Sequence, residues 1–350
     1  MNIAVATAYD FDHDGDLDLF VGARSYPGNY GITPSSYIYV NDGKGHFTDM
    51  AKTKNPDISN IGMVTGAVWA DVAGDSNKEL VIVGEWMNPK IFSFNKDHFE
   101  EVKTNLSDMQ GWWQSVAAAD LNGDGKEDLI LGNIGENFYL HPDKENPVKI
   151  WVADFDQNNI VDKILTRTVD GKDLPVFLKR DLEEQLPILK KQNLRHEVFA
   201  KKSVQELFPS DVINKTIVKQ FNYSGSCIAF NKGGGQFDVK KLSPYLQLSC
   251  INAIKCMDIN NDGYIDLVIG GNNFGFPPMM GRLDASFGNI LLNDGKGNFI
   301  SQETNASGLE LRGEIRDIQM IKSTGKDFLM VLQNNEFPVL YQIRKGSTKK

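Results

Sequence analysis

The chain has 350 residues, 41% hydrophobic and 10% aromatic, which excludes a disordered polypeptide. Its 46 acidic residues outnumber 37 basic ones, giving a net charge of −9. The lysine pairs at 190–191, 201–202, 240–241 and 349–350 are scattered and make no basic face for nucleic acid. No stretch is long and apolar enough for a membrane-spanning helix, so no direct membrane insertion is expected.

The first predicted element is a strand, Ile3 to Ala8, and it runs into Asp10-Phe-Asp-His-Asp-Gly-Asp-Leu-Asp18. An outgoing strand, Leu17 to Val21, overlaps the last ligand position. Asn41-Asp-Gly-Lys-Gly-His-Phe47 then reads as a hairpin turn. The acidic frame returns loosely as Asp71-Val-Ala-Gly-Asp-Ser-Asn-Lys-Glu79, where Ala73 replaces an oxygen ligand. It returns in full as Asp120-Leu-Asn-Gly-Asp-Gly-Lys-Glu-Asp128, between strands Ser115 to Ala119 and Asp128 to Leu131. A fourth copy, Asp154-Phe-Asp-Gln-Asn-Asn-Ile-Val-Asp162, has Asn159 where the better copies have Gly.

The interval from Asp162 to Asp258 changes character. Leu182, Leu186 and Leu189 recur at helical spacing within 179–193, Pro187 marks a break, and a second short helix is expected at Ser203 to Phe208. This predicts a helical insertion over 179–212, between strands two and three of one blade-like unit. The functional alternative to an edge cap is a lid or docking element. Strand patterns resume at Ser226 to Phe230, with a hairpin at Asn231-Lys-Gly-Gly-Gly-Gln-Phe237. The last full acidic copy is Asp258-Ile-Asn-Asn-Asp-Gly-Tyr-Ile-Asp266, followed by the hairpin Asn293-Asp-Gly-Lys-Gly-Asn-Phe299. A copy without metal ligands is expected near Asp317, with Asp327 to Val331 as its second strand and Val339 to Ile343 as its last.

Packing three or four carboxylates into one turn is unfavourable by itself. Two unit charges about 4 Å apart repel by roughly 4 kcal/mol at an effective dielectric near 20. A hard divalent cation reverses that sign, and Ca2+ accepts six to eight oxygens. The frame therefore predicts calcium ligands from side chains at positions 1, 3, 5 and 9 and from the backbone carbonyl at position 7. These are Asp10, Asp12, Asp14, Asp16 and Asp18; Asp120, Asn122, Asp124, Lys126 and Asp128; Asp154, Asp156, Asn158, Ile160 and Asp162; Asp258, Asn260, Asp262, Tyr264 and Asp266. Asp16, Lys126, Ile160 and Tyr264 are chemically unrelated, which a backbone ligand permits. The loop of Asp71, Asp75 and Glu79 is expected to be weak or empty. Three to five ions are expected, four as the central value, and they would bring the chain close to neutrality. An EF-hand is excluded, because it needs flanking helices and a Glu at position 12. Here position 12 is Val21, Leu131 or Ile269.

A unit thus reads strand, calcium loop, strand, strand, Gly-rich hairpin, strand. Four antiparallel strands repeated every few tens of residues predict an all-β fold, a β-propeller of six or seven four-stranded blades. The loops followed by Leu-Phe-Val-Gly or Leu-Val-Ile-Gly-Gly resemble the FG-GAP/VCBS repeats of integrin-α-type propellers. Val83-Gly-Glu-Trp-Met-Asn-Pro89, Gly111-Trp-Trp113, Leu131-Gly-Asn-Ile-Gly135, Arg180-Asp-Leu-Glu-Glu-Gln185 and Gly271-Asn-Asn273 are similar to bacterial VCBS-repeat proteins associated with ASPIC/UnbV segments. The resemblance implies a calcium-stabilised binding propeller located outside the cell, in the periplasm or at the cell surface. Met1 to Thr7 reads as strand with no leader, so a fragment of a larger multidomain protein is expected.

No catalytic constellation emerges from the five histidines, and there is no Gly-x-Ser-x-Gly elbow. Cys250 and Cys256, six residues apart on one strand, are about 20 Å apart and cannot bridge. The expected activity is non-enzymatic recognition of a protein or glycan through Trp86, Trp112, Trp113, Asn272, Asn273, Arg282 and Arg316. Aromatic faces beside amides suit sugar rings and extended peptides. Since the calcium loops all join strands one and two, they are expected on one face, with Trp112, Trp113 and the 271–278 loop on the other. Two alternatives are a calcium-dependent polysaccharide lyase or hydrolase, needing convergent charged groups at the mouth, and a purely structural domain, needing an apolar plug there.

Overall fold

The computed structural model describes residues 1–192, 195–277 and 280–344. Asn193, Pro278 and the Lys349–Lys350 pair of the readings above lie outside them. The fold is a β-propeller made almost entirely of antiparallel sheet. Among the described residues there are six sheets, and five follow one another in the order of the chain.

Blade one is β1 (Asn2–Tyr9), β2 (Asp18–Ser25), β3 (Tyr37–Asn41) and β4 (Phe47–Asp49), paired in that order. Two single-turn helices, α1 (Ala51–Lys54) and α2 (Pro56–Ser59), lead to blade two. That blade is β5 (Met63–Ala70), β6 (Glu79–Met87), β7 (Lys90–Asn95) and β8 (His98–Glu101), with β9 (Gly111–Trp112) also paired to β6. Blade three begins with β10 (Ser115–Ala119) and β11 (Asp128–Gly132). The chain then leaves it for residues 133–226. This insertion builds its own sheet from β12 (Val148–Ala153), β13 (Asp162–Val169), β14 (Lys172–Pro175) and β15 (Ile217–Phe221), in the order β14-β13-β12-β15. Among the described residues, five short helices, α3 (Lys179–Gln185) to α7 (Ser210–Ile213), lie between β14 and β15. Blade three is completed by β16 (Cys227–Gly233) and β17 (Gln236–Lys241).

Blade four is β18 (Ile251–Met257), β19 (Asp266–Gly271), β20 (Asn289–Asn293) and β21 (Phe299–Ser301). Helix α8 (Thr304–Ser307) precedes blade five, which is β22 (Ile315–Ser323), β23 (Lys326–Gln333) and β24 (Val339–Ile343). The first strands of the five blades pack side by side: β1 on β5, β5 on β10, β10 on β18 and β18 on β22.

The second strands explain why the blades stack. Leu80-Val-Ile-Val83, Leu129-Ile-Leu131 and Leu267-Val-Ile269 are continuous apolar runs, as strands buried on both faces require. Alternate residues serve alternate cores. Leu80 and Ile82 meet Phe20, Ile38 and Trp69 of the blade-one side, while Val81 and Val83 meet Leu129 and Leu131 of blade three. Ile130 faces Leu267 and Ile269, and Val268 faces Ile315 and Leu329. The Gly after such a run is a spacer. A Cβ on Gly132 would collide with the Ile251 carbonyl oxygen of blade four.

The helices expected over 179–212 are the outer layer of the larger insertion. Leu182, Leu186 and Leu189 pack with Trp151, Phe155 and Ile164 of the inserted sheet. The chain breaks at Pro187, and Ser203 caps α6 in a reciprocal capping box with Glu206. The other face of the inserted sheet, Val148, Ile150, Val152 and Phe221, packs on Trp86 and Trp112 of the propeller.

Three expectations are corrected by the topology. Of the six sheets among the described residues, five are blades and the sixth is built inside blade three, so the expected six or seven blades become five plus an insertion, and blade five has three strands. The Asp154 loop joins strands of the inserted sheet, so it does not gather with the other four. Lys163, next to its last ligand position, donates to the Gly28 carbonyl in the β2–β3 connection (2.6 Å). Antiparallel strands put that connection on the face away from the β1–β2 loop. The frame at Asp317 is not a loop either. Residues 317–323 are strand, and the turn is Thr324-Gly325, two left-handed residues closing a two-residue hairpin between Ser323 and Lys326.

Candidate metal loops and central cavity

All five acidic loops share one backbone shape. Positions 4 and 6 are left-handed in each: His13 and Gly15, Gly74 and Ser76, Gly123 and Gly125, Gln157 and Asn159, Asn261 and Gly263. Asn tolerates this region, so Asn159 substitutes for Gly without altering the turn. The first Asp organises each turn by accepting backbone N–H bonds. Asp120 takes Gly123 N and Gly125 N (both 2.8 Å), Asp154 takes Asn158 N (2.9 Å) and Asn159 N (2.8 Å), and Asp258 takes Gly263 N (2.9 Å).

The ninth residue anchors the loop to its blade. Asp18, Asp128 and Asp266 are fully buried. Each accepts from the second loop residue and from the Asn that opens the hairpin: Asn41 N (2.9 Å), Asn231 N and Asn293 N (both 2.8 Å). Burial pushes the carboxyls of Asp18 and Asp128 up to about 6, against those same hydrogen bonds, and the neighbouring loop carboxylates add to the rise. Burial likewise raises Asp162 and Asp266.

Carboxylate oxygens of Asp10, Asp12 and Asp18 lie within 4.8 Å of one another, as do those of Asp154, Asp156 and Asp162. In these clusters Asp10 Oδ1 and Asp156 Oδ1 are buried and accept no hydrogen bond. Orphaned acceptors beside two further carboxylates fit a hard cation and nothing apolar. At position 7 the side chains of Ile160 and Tyr264 turn to solvent, leaving their carbonyls for the loop. The loop at Asp71 differs. Asp71 accepts Gly74 N (2.7 Å) and Ser76 N (2.9 Å), and Glu79 accepts Val72 N (2.9 Å), Ala73 N (3.0 Å) and the Ser93 hydroxyl (3.1 Å). Its carboxylates are satisfied internally.

On the opposite face, the starts of the five first strands surround a cavity of about 590 Å³. It is lined by residues of every blade, among them Arg24, Thr65, Gln114, Asn252 and Arg316. Arg24 donates twice to Glu85 Oε1 (3.0 and 2.8 Å), which leaves the buried Oε2 without a partner. Glu314 accepts Phe274 N (2.7 Å) and Asn334 Nδ2 (2.6 Å), with Arg316 3.7 Å away.

The expected recognition residues separate here. Asn273, Arg316 and one edge of Trp112 line the cavity. Trp113 is completely buried in the core between blades two and three, so it cannot meet a ligand. Trp86 is also buried, its Nε1 donating to the Tyr30 hydroxyl (2.8 Å) and its ring on Phe221 of the insertion. Asn272 is buried with its amide spent on Ser286 O, Ser286 N and Ser249, so it ties loops together. Arg282 stands outside the cavity, its guanidinium 3.8 Å over Phe274. Arg24, Glu85, Gln114, Asn252 and Glu314 were not singled out from sequence. The only signal for Glu85 and Glu314 was an acidic residue at the end of a second strand or the start of a first.

A family model described as FG-GAP-like repeat matches residues 10–82 and 71–131, and one described as FG-GAP repeat matches 112–152. Residues 10–152 carry FG-GAP-like repeats. In FG-GAP terms, the matched spans hold the loops at Asp10, Asp71 and Asp120 and the blades around them. No curated protein matches the chain. Among solved structures, similarity is found to Sqt1 from Chaetomium thermophilum at 10% identity, over 100% of this chain and 84% of that one, with a TM-score of 0.33. Rhamnogalacturonan lyase YesW matches at 12% identity over 97% and 60%, TM-score 0.31. The V. cholerae biofilm matrix protein Bap1 matches at 9% over 97% and 76%, TM-score 0.28. Among the described residues no helix is long and apolar enough to cross a membrane.

Proposed function

We propose that this FG-GAP repeat protein is a calcium-stabilised binding module that recognises a glycan or protein outside the cell or at its surface. The observation that carries this is the polar cavity to which all five blades contribute, on the face away from four acidic loops. An apolar plug, as a purely structural disc needs, is not what lines it. Calcium at the loops of Asp10, Asp120, Asp154 and Asp258 would neutralise the clustered carboxylates and fix the strand-one to strand-two turns. Rigid blades then hold the cavity side chains at constant spacing, which lowers the ordering cost of binding.

The test is retention of the calcium-loaded chain on glycan and peptide arrays. Arg316→Ala and Arg282→Ala, on the cavity face, are expected to weaken binding, and Lys44→Glu, in the exposed β3–β4 hairpin on the loop face, to leave it unchanged. The reverse pattern would put recognition on the loop face. A second reading, polysaccharide cleavage, is favoured by one fact: Arg24, Glu85, Glu314 and Arg316 converge on the same cavity. Their mutual pairing argues for positioning rather than proton transfer. Release of shortened or unsaturated oligosaccharides by the pure protein would establish cleavage instead.

A further inference from the structure

The first strands carry a shared irregularity at their cavity end. Register shifts fall between Ile3 and Val5, Val64 and Gly66, Ile251 and Ala253, and Ile315 and Asp317. The residues skipped are Ala4, Thr65, Asn252 and Arg316, and every one lines the cavity. A bulge leaves one residue unpaired and re-aims its side chain. In blade three, Gln114 directly before β10 fills the same place. One backbone device, repeated in four blades, thus delivers four chemically different side chains to a single chamber, and Gln114 adds a fifth. Repetition of the backbone without repetition of the side chain makes an asymmetric site.

The hydrogen-bonding state of these side chains selects the ligand. Thr65 spends its one hydroxyl proton on Trp113 O (2.9 Å), while Gln114 and Asn252 each spend one of two amide N–H groups, on Trp112 O (3.1 Å) and Asn272 O (2.8 Å). Thr65 is left as an acceptor, each amide keeps its oxygen and one N–H, and Asn252 Oδ1 and Glu85 Oε2 are buried with no partner, so acceptors predominate. A ligand must therefore bring several donors. Two arginines and two glutamates line the chamber, so its formal charge balances and neither an anion nor a cation is favoured. Trp112 and Phe276, ring centroids 5.7 Å apart, add an apolar wall. We infer that the cavity binds one neutral polyhydroxylated ring, a sugar residue, read by Thr65, Gln114, Asn252 and Glu85 and accepting from Arg24 and Arg316. A chamber of about 590 Å³ has room for such a ring together with bridging water.

This inference rests on the binding-module reading above and is tested separately from it. The calcium-loaded full chain is probed with neutral, acidic and amino-sugar glycans on an array, and with free monosaccharides by calorimetry. Two variants accompany it: Ala4→Phe, which fills the chamber from an exposed strand end and removes no hydrogen bond, and Asn252→Leu. Neutral sugars are expected to bind, and each variant to weaken them at least about tenfold, Asn252→Leu through the loss of roughly one hydrogen bond and Ala4→Phe through occupied space. The melting temperature of Ala4→Phe should stay that of the parent. Equal affinity for free sugar and glycan assigns the chamber a single residue, and preference for the glycan assigns it a chain terminus; both support the inference. Binding confined to charged glycans, or neutral binding unchanged in both variants, overturns it. In the latter case, loss of that binding in Arg282→Ala would leave the module reading standing. Retention on the peptide array without any glycan also overturns the inference alone, and retention of nothing at all overturns both.

Discussion

Trp113 has no exposed surface and touches no cavity, so its effect must be on stability. Trp113→Ala is expected to cost about 3–5 kcal/mol, read by denaturant unfolding, with ligand selectivity unchanged at temperatures where the variant is folded. Ser76 is a different kind of residue problem, a non-Gly side chain held at φ 73° in the second acidic loop. Ser76→Gly should therefore stabilise by about 0.5–1 kcal/mol, and a loss of stability there would show that the hydroxyl matters more than the strain. Asp18 and Asp128 give the protein a pH dependence that depends on metal. Without calcium, each folded carboxyl holds its proton to about pH 6, above the ordinary 3.8, so the folded state binds protons more tightly than the unfolded one. Stability in chelator is then expected to rise as the pH falls from about 7 to about 5. With calcium, protons compete with the ion and stability should fall over the same range. Unfolding curves at both pH values, with and without chelator, check the two signs.

At the scale of the element, the acidic loops fall into two kinds that differ in where their oxygens are spent. The Asp71 loop satisfies its carboxylates from its own backbone, while the loops at Asp10 and Asp154 keep buried oxygens in reserve. Calcium titration by calorimetry should then lose about one equivalent in Asp154→Ala and none in Asp71→Ala. An equal loss in both would mean the two kinds bind alike. These loops were the most legible part of the chain, because ligand, glycine and spacing all recur within nine residues. The bulges that build the cavity were not legible. Ala4, Thr65, Asn252 and Arg316 share no residue type, and a one-residue register shift leaves no trace in composition. Trp112 and Trp113 show the same limit. Trp112 ends β9 and Trp113 follows it, and the two side chains part, so one edges the cavity and the other fills a core, while sequence reads them as a pair.

For the whole molecule, chelation is the decisive perturbation. Ligand linkage supplies about 4 kcal/mol per site at a thousandfold excess over the dissociation constant, so EDTA should lower the melting temperature markedly. An unchanged melting curve would mean that the loops stand on internal hydrogen bonds alone. By itself the sequence determined the all-β class, the blade repeat and the acidic turns. Each is written in contacts a few residues apart, where periodicity of two and fixed loop spacing suffice. Only the tertiary structure decided that residues 133–226 form a separate sheet laid on the propeller. A strand, an acidic loop and a second strand look the same in a blade and in an insertion, and what separates them is which face of β12 meets Trp86 and Trp112. It also decided the cavity, since Arg24 and Glu85 lie 61 residues apart and Thr65 and Arg316 much further. Convergence over such separations is set by how blades pack side by side, through long-range contacts that no local pattern encodes.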